Sequence, residues 1–147
     1  MDSTNNAYRN VDIQRWQNMD FVIGYEIHLS NNPDKDCDIC KRLAGKYPKS
    51  FNWCGWHDGC KCHVTPIFMD DDDFDNNELA ELRSALYGKK HKKRTPKNAV
   101  KFLPKTFLDW WDENSKKIFD SGGYPYFYTD NILLILDSHT YYKIKEL

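Results

Sequence analysis

Cys37-Asp38-Ile39-Cys40, followed by His57-Asp58-Gly59-Cys60-Lys61-Cys62-His63, carries the chemistry of this 147-residue chain. A Cys-x-x-Cys turn can aim two thiolates at one ion, and the second run returns with a His and two more thiols. Zinc wants about four ligands in a tetrahedron, and thiolate and imidazole are its usual protein donors. This composition predicts a metal site on Cys37, Cys40 and Cys60, with a fourth ligand that is either Cys62 or His57. If residues 60–62 are extended, the Cys60 and Cys62 thiols face the same side. Cys54 sits between Trp53 and Gly55 and reads as packing; His63 is expected to point outward. The competing readings are buried hydrophobic cysteines and a disulfide-stapled loop. An iron–sulfur centre is disfavoured by the single Cys-x-x-Cys.

The five cysteines all fall between positions 37 and 62. The N-terminus is polar and has no signal-peptide core, so a reducing cytoplasm is expected, where an odd thiol count favours ligands over disulfides. No stretch approaches the roughly 18 apolar residues of a membrane helix, so no membrane partner is expected. One domain of this length can bury a core of its own. The aromatic fraction is 15%, which argues against wholesale disorder. Net charge is −1 but unevenly distributed, with an acidic run at Asp70–Asp73 and a basic run from Lys89 to Arg94.

Outward from the cysteines, the pattern predicts an α+β domain. Residues 5–20 read as an amphipathic helix with Tyr8, Val11, Ile13, Trp16 and Met19 on its apolar face. Residues 21–30 alternate with the period of a strand, Phe21, Ile23, Tyr25, Ile27 and Leu29 pointing one way. Asn31–Asn32–Pro33–Asp34 is a turn. Residues 36–63 have little periodicity and read as a loop-rich knot, leaving through a short strand at 62–68. Residues 77–87 read as a helix capped by Asp75 or Asn76 and ended by Gly88. Lys89 to Asn98 is a basic linker, and 105–119 a second helix with Thr106 as N-cap. In that helix Phe107, Trp110, Trp111, Asn114 and Ile118 share a face; two adjacent Trp cannot both face fully inward, which points to one at a partner surface. Tyr124 to Leu147 reads as a strand, a turn at Asp137–Ser138–His139–Thr140 and a second strand. The divisions are thus 1–70 with the metal knot, 71–101 with helix and linker, and 102–147, packed on the same domain.

The same segment resembles a known family. Asp36-Cys37-Asp38-Ile39-Cys40, Leu43-Ala44-Gly45-Lys46-Tyr47-Pro48, His57-Asp58-Gly59-Cys60-Lys61-Cys62 and Pro66 are similar to the phage head morphogenesis, or Mu F-like minor head, pattern. Tyr8-Arg9 and Arg15-Trp16 ahead of Val22-Ile23-Gly24-Tyr25-Glu26-Ile27 fit its lead-in. Pro104, Phe107, Trp110-Trp111, Tyr124-Pro125-Tyr126-Phe127 and Asp130-Asn131 resemble the tail of one group of members. The match is good over 7–68 and weaker over 102–131. Asp58 stands where members usually have Pro, Lys61 where Arg is usual, and the long helical region that normally precedes this segment is missing. The resemblance implies a structural protein of the virion head near the portal, with portal or other head proteins as partners. It would be made in the host cytoplasm and carried in the virion, with a role in DNA packaging or delivery and an architectural metal site.

Enzymes fare poorly. The His-Glu-x-x-His of metalloproteases and a phosphate-binding glycine loop are absent, and Glu26-Ile27-His28 reverses the deaminase order. Cys54 with His57 is a weak nucleophile–base pair. DNA binding is the stronger rival, carried by Lys89, Lys90, Lys92, Lys93 and Arg94, since such runs neutralise phosphates. The alternative is a solvated linker balancing the acidic run.

Overall fold

The structure, a computed structural model, describes residues 3–30, 37–90 and 93–147. The turn expected at 31–34 and the predicted DNA contact Lys92 lie outside the described residues. The fold is α+β. Helix α1 (Ser3–Gln17) leads into strand β1 (Val22–His28), then a short helix α2 (Asp38–Leu43) and strand β2 (Gly45–Pro48). After the cysteine-rich loop come β3 (His63–Phe68), α3 (Asp71–Tyr87), α4 (Lys105–Asp120), α5 (Tyr126–Thr129) and α6 (Ile132–Lys145). The sheet has order β2-β1-β3, antiparallel throughout. Among the described residues, no helix is long and apolar enough to cross a membrane.

The strand expected at 21–30 is β1, but its alternation is not uniform. Tyr25 and Ile27 are buried while Glu26 and His28 are half-exposed. Between Val22 and Gly24 the register against β3 shifts, with Val22 opposite Phe68 and Gly24 opposite Ile67, so Ile23 is an inserted residue. Val22 to Tyr25 are consequently all buried, and Phe21 is exposed instead of facing inward. Gly24 is required by close approach. A Cβ there would stand 2.8 Å from the Tyr47 carbonyl oxygen of β2 and 3.2 Å from Val100. Gly24→Ala should therefore destabilise the chain by about 1–3 kcal/mol, because the central strand must separate from its neighbour. Urea unfolding checks this; an unchanged midpoint would mean that β2 is not held against β1 there.

The core is aromatic. Tyr47, Phe51, Trp53, Trp56, Phe107, Trp110 and Phe127 form a continuous set of ring contacts between the metal loop and α4–α5. Side chains of 47–62 and 103–135 thus share one core. Among the described residues the buried indole N–H groups of Trp53 and Trp56 have no acceptor, a cost of about 1–3 kcal/mol each that the surrounding apolar burial must offset. The polar residues that enter the core are fully employed. Asn131 accepts from the Asn52 N–H at 2.7 Å and donates to the carbonyls of Asn52 and Phe127. Ser138 accepts from the Leu103 N–H and donates to the Leu134 carbonyl.

Several expectations are corrected. The C-terminal hairpin is instead the helices α5 and α6. Ile132–Leu136 is an apolar run too short for periodicity to decide. Helical winding buries Ile135 and turns Ser138 and Tyr142 toward Leu103, and the supposed turn at 137–140 is mid-helix. Both tryptophans of α4 are buried, Trp110 at 8% exposure and Trp111 at 5%, because residues 119–128 fold over the second. Trp111 stacks on Tyr128 at 4.5 Å and meets Phe119 edge-on. In α5, Phe127 and Tyr128 pack on the aromatic residues of α4, while the Tyr126 hydroxyl accepts from the Cys54 N–H and donates to the Gly55 carbonyl. On α1, Ile13 is buried but Tyr8 and Val11 are exposed. Helix α3 begins at Asp71, not at 77, since Asp71–Asp73 form its first turn, where carboxylates suit the positive end of the helix. Pro104 rather than Thr106 stands at the N-cap of α4, fixing φ before the first turn.

Candidate metal centre

Residues 36–63 have no helical periodicity, yet the first candidate ligand pair is set by a helix. Cys37 is the N-cap of α2, and its sulfur accepts from the Cys40 N–H at 3.1 Å. Capping by a thiol is what a Ser or Asp would do at that position. One helical turn separates Cys37 from Cys40, so their sulfurs stand side by side, 2.8 Å apart. Helix α2 is clamped to α4 by a bidentate Arg42–Glu113 pair at 2.6 and 2.7 Å.

The second run comes back to this turn. His57 Nε2 lies 3.1 Å from Cys37 Sγ and 3.2 Å from Cys40 Sγ, and Cys60 Sγ lies 3.9 Å from Cys40 Sγ. Two donor triads result, Cys37–Cys40–His57 and Cys40–Cys60–Cys62, each with all its ligand atoms within 4.8 Å. They share Cys40. All five predicted ligands, Cys37, Cys40, His57, Cys60 and Cys62, therefore surround one small volume that could hold a metal ion. For an ion held about 2.3 Å from sulfur in a tetrahedron, the sulfurs would be about 3.8 Å apart. The Cys40–Cys60 separation already matches that edge, whereas the Cys37 and Cys40 sulfurs must part by about 1 Å and the contacts to His57 by several tenths of an ångström.

The His57 tautomer is set by its neighbour. Nδ1 lies 2.7 Å from the Asp58 carbonyl oxygen, which can only accept, so Nδ1 carries the proton and Nε2 presents a lone pair to the thiols. That same carbonyl, followed by Cys37, holds the His57 pKa above its ordinary value. The thiols shift one another. Burial pushes Cys40 up to about 12, whereas the hydrogen bond with Cys62 brings Cys60 down to about 5. Cys62 is raised by its bond to Cys60 and by burial. Burial works against Cys37 ionising, but bonds with Cys40 and His57 outweigh it and lower the thiol.

Two residues outside the ligand set stand out. Cys54 belongs to neither triad, as its aromatic neighbours imply. His63 is exposed and stacks on His28 at 5.0 Å. The residue that sequence reading missed is Arg9 of α1. Its guanidinium donates to the carbonyls of Cys54, Cys60 and Cys62 at 3.1, 2.7 and 2.7 Å, and lies 5.2 Å from the Trp53 ring centroid. No spacing rule links position 9 to 54–62; only the fold brings them together.

The basic run is less available than its composition suggests. Lys89, Lys90 and Arg94 are exposed. Lys93 is paired with Glu81 and with Asp20, so part of the run balances local acid. In comparisons with known proteins, no family model, curated protein or solved structure matched the chain. The likeness to minor head proteins rests on the residues quoted for it.

Proposed function

We propose that the Cys/His pocket is a structural zinc site and that the chain is a structural module of the minor-head type, used in assembly of a phage or prophage head. The observation that carries the zinc reading is the convergence of four thiols and His57 Nε2 on one volume from two separate stretches of chain. Soft thiolates with imidazole favour zinc over hard cations. Protein donors outnumber the four positions of a tetrahedral ion, as suits a closed structural site rather than a catalytic one with an open position. The residues fit the ion well enough to name Cys37, Cys40 and Cys60 as ligands, with His57 or Cys62 completing the shell. The assembly reading is supported by the resemblance over 7–68. It is also supported by a site that staples a loop under the aromatic core and so stiffens a docking platform.

Purified protein should contain about one zinc per chain, and a strong chelator should lower the unfolding midpoint. Burial raises the Cys40 thiol, and the bond with Cys60 together with burial raises that of Cys62, so binding at these sulfurs displaces protons. Affinity should therefore rise with pH, roughly tenfold per unit for each proton displaced. Metal-free protein with a chelator-insensitive midpoint would sink the zinc reading. The assembly reading is tested separately by gene neighbourhood. Portal and terminase genes alongside support it, and their absence from a fully sequenced locus opposes it.

A further inference from the structure

The solvent face of the sheet carries a second set of ligand-type side chains, separate from the cysteines. Tyr25 and Ile27 of β1 face the core, so Glu26 and His28 come out on the other side. On β3 the residues opposite these two are Thr65 and His63. His63 directly follows Cys62, and the two point opposite ways, Cys62 buried and His63 exposed. Two imidazoles thus meet across the strand pair, their rings stacked at 5.0 Å with 18° between the planes. His28 Nε2 lies 2.8 Å from the Thr65 hydroxyl oxygen and 3.9 Å from a Glu26 carboxylate oxygen. Lys46, opposite Glu26 on β2, already puts a positive charge on this face, so a further cation there must be held by donors rather than by net charge.

Donors of the right kind are present in a workable layout. Residues i and i+2 of one strand and one residue of its neighbour share a face. The direct cross-strand pair stands about 4.5–5.5 Å apart at Cβ and the diagonal pair about 7–8 Å, within reach of a long side chain. Here His28–His63 is the direct pair and Glu26–His63 the diagonal. Two imidazoles and a carboxylate form the facial triad that holds a divalent first-row metal and leaves positions open. The stacked rings do not yet converge on one point. Each must turn about its Cβ–Cγ bond to bring a nitrogen to about 2.0–2.1 Å from an ion. His28 is partly exposed and His63 exposed, which leaves room for that turn. An ion at His28 Nε2 would also meet the Glu26 carboxylate, which lies on the same side of the ring. We propose that Glu26, His28 and His63 form a second, open site for a divalent transition-metal ion on the solvent face of the sheet. The inference does not depend on the cysteine cluster, whose Cys62 points into the core on the opposite side of β3.

Calorimetric titration of the full chain with zinc tests it. Two binding steps are expected, a tight one at the thiols and a weaker one at the imidazoles. In the weaker step the ring proton signals of His28 and His63 should shift together. His28→Ala and His63→Ala should each weaken that step about tenfold or more, because the remaining donors no longer chelate as a set. His28→Ala should leave the tight step and the far-UV circular dichroism unchanged. Thr65→His sets a further imidazole opposite Glu26 and should tighten the weaker step, a gain that misfolding would not produce. If the thiols take no zinc, the imidazole step should still appear and still be lost with His28→Ala, so the two sites fail separately. A weaker step that survives both histidine replacements overturns the proposal. So does a titration in which the His28 and His63 signals never move, or a Thr65→His chain that binds no more tightly.

Discussion

Cys40→Ser should release the metal and unfold the chain at a much lower denaturant concentration than any other single cysteine replacement. Cys40 is the one donor common to both triads, it is buried, and it sits in the first turn of α2 where the Cys37 sulfur accepts its N–H. A serine hydroxyl is shorter than a thiol and a poor partner for a soft ion. The four remaining donors then fall into two pairs, Cys37–His57 and Cys60–Cys62, with no shared sulfur to join them around one ion. The expected loss exceeds about 4 kcal/mol, the range in which loss of a metal belongs. It stays below the roughly 10–16 kcal/mol that zinc gives an isolated finger peptide, because Tyr47, Phe51, Phe107 and Phe127 supply a core without it. Cys54→Ser is the control. It lies outside both triads, so it should keep one ion per chain and cost about 1 kcal/mol. Metal content and urea midpoints for both variants decide the matter. A Cys40→Ser protein with full metal and an unchanged midpoint would remove the site as described.

The legible parts of this fold are those written in local chemistry. The cluster that could hold a metal could be read from Cys-x-x-Cys and the His57–Cys62 spacing, because metal donors are few in kind and their spacing is short-range. Strand β1 could be read from alternation, and α4 from Phe107, Trp110, Trp111 and Ile118 on one face. What sequence could not yield depended on contacts between distant segments. Helix α6 hides its period because its inner positions include Ser138, and its outer ones include Leu133 and Leu136. A hydroxyl inside and leucines outside make the apolar run look continuous rather than periodic. The bulge at Ile23 follows from how β1 meets β3, which alternation within β1 does not encode. Helix α3 misled in a different way. Leu79, Leu82 and Leu86 recur at helical spacing, but spacing does not say which face is buried, and Asp73 and Asn77 hold the other face to the 94–97 segment.

Arg9→Ala should cost about 3–5 kcal/mol although Arg9 touches no ion and lies far from the cysteines in sequence. Its two terminal nitrogens satisfy three carbonyls of the metal loop, those of Cys54, Cys60 and Cys62. Hydrogen bonds from a charged donor contribute about 1.5–3 kcal/mol each, and the stack over Trp53 adds about 0.5–1 kcal/mol. These are not additive, so the sum is an upper bound. The guanidinium reaches the loop past Gly55, whose φ of +130° suits glycine and where a Cβ would stand 2.9 Å from Nη1. Arg9→Lys should recover little, because an ammonium is a point donor and cannot span three acceptors laid out for a planar fork. The two carbonyls that flank Lys61 belong to metal-ligand candidates, so removing the fork also loosens the geometry of Cys60 and Cys62. Zinc affinity should fall with stability, by tenfold or more, the size of loss typical of residues that orient ligands from behind. Competition with a chromophoric chelator reads the affinity, and urea unfolding in saturating zinc separates it from the loss of packing. An Arg9→Ala chain that matches the wild type in both would mean that the loop is held by its ligands alone.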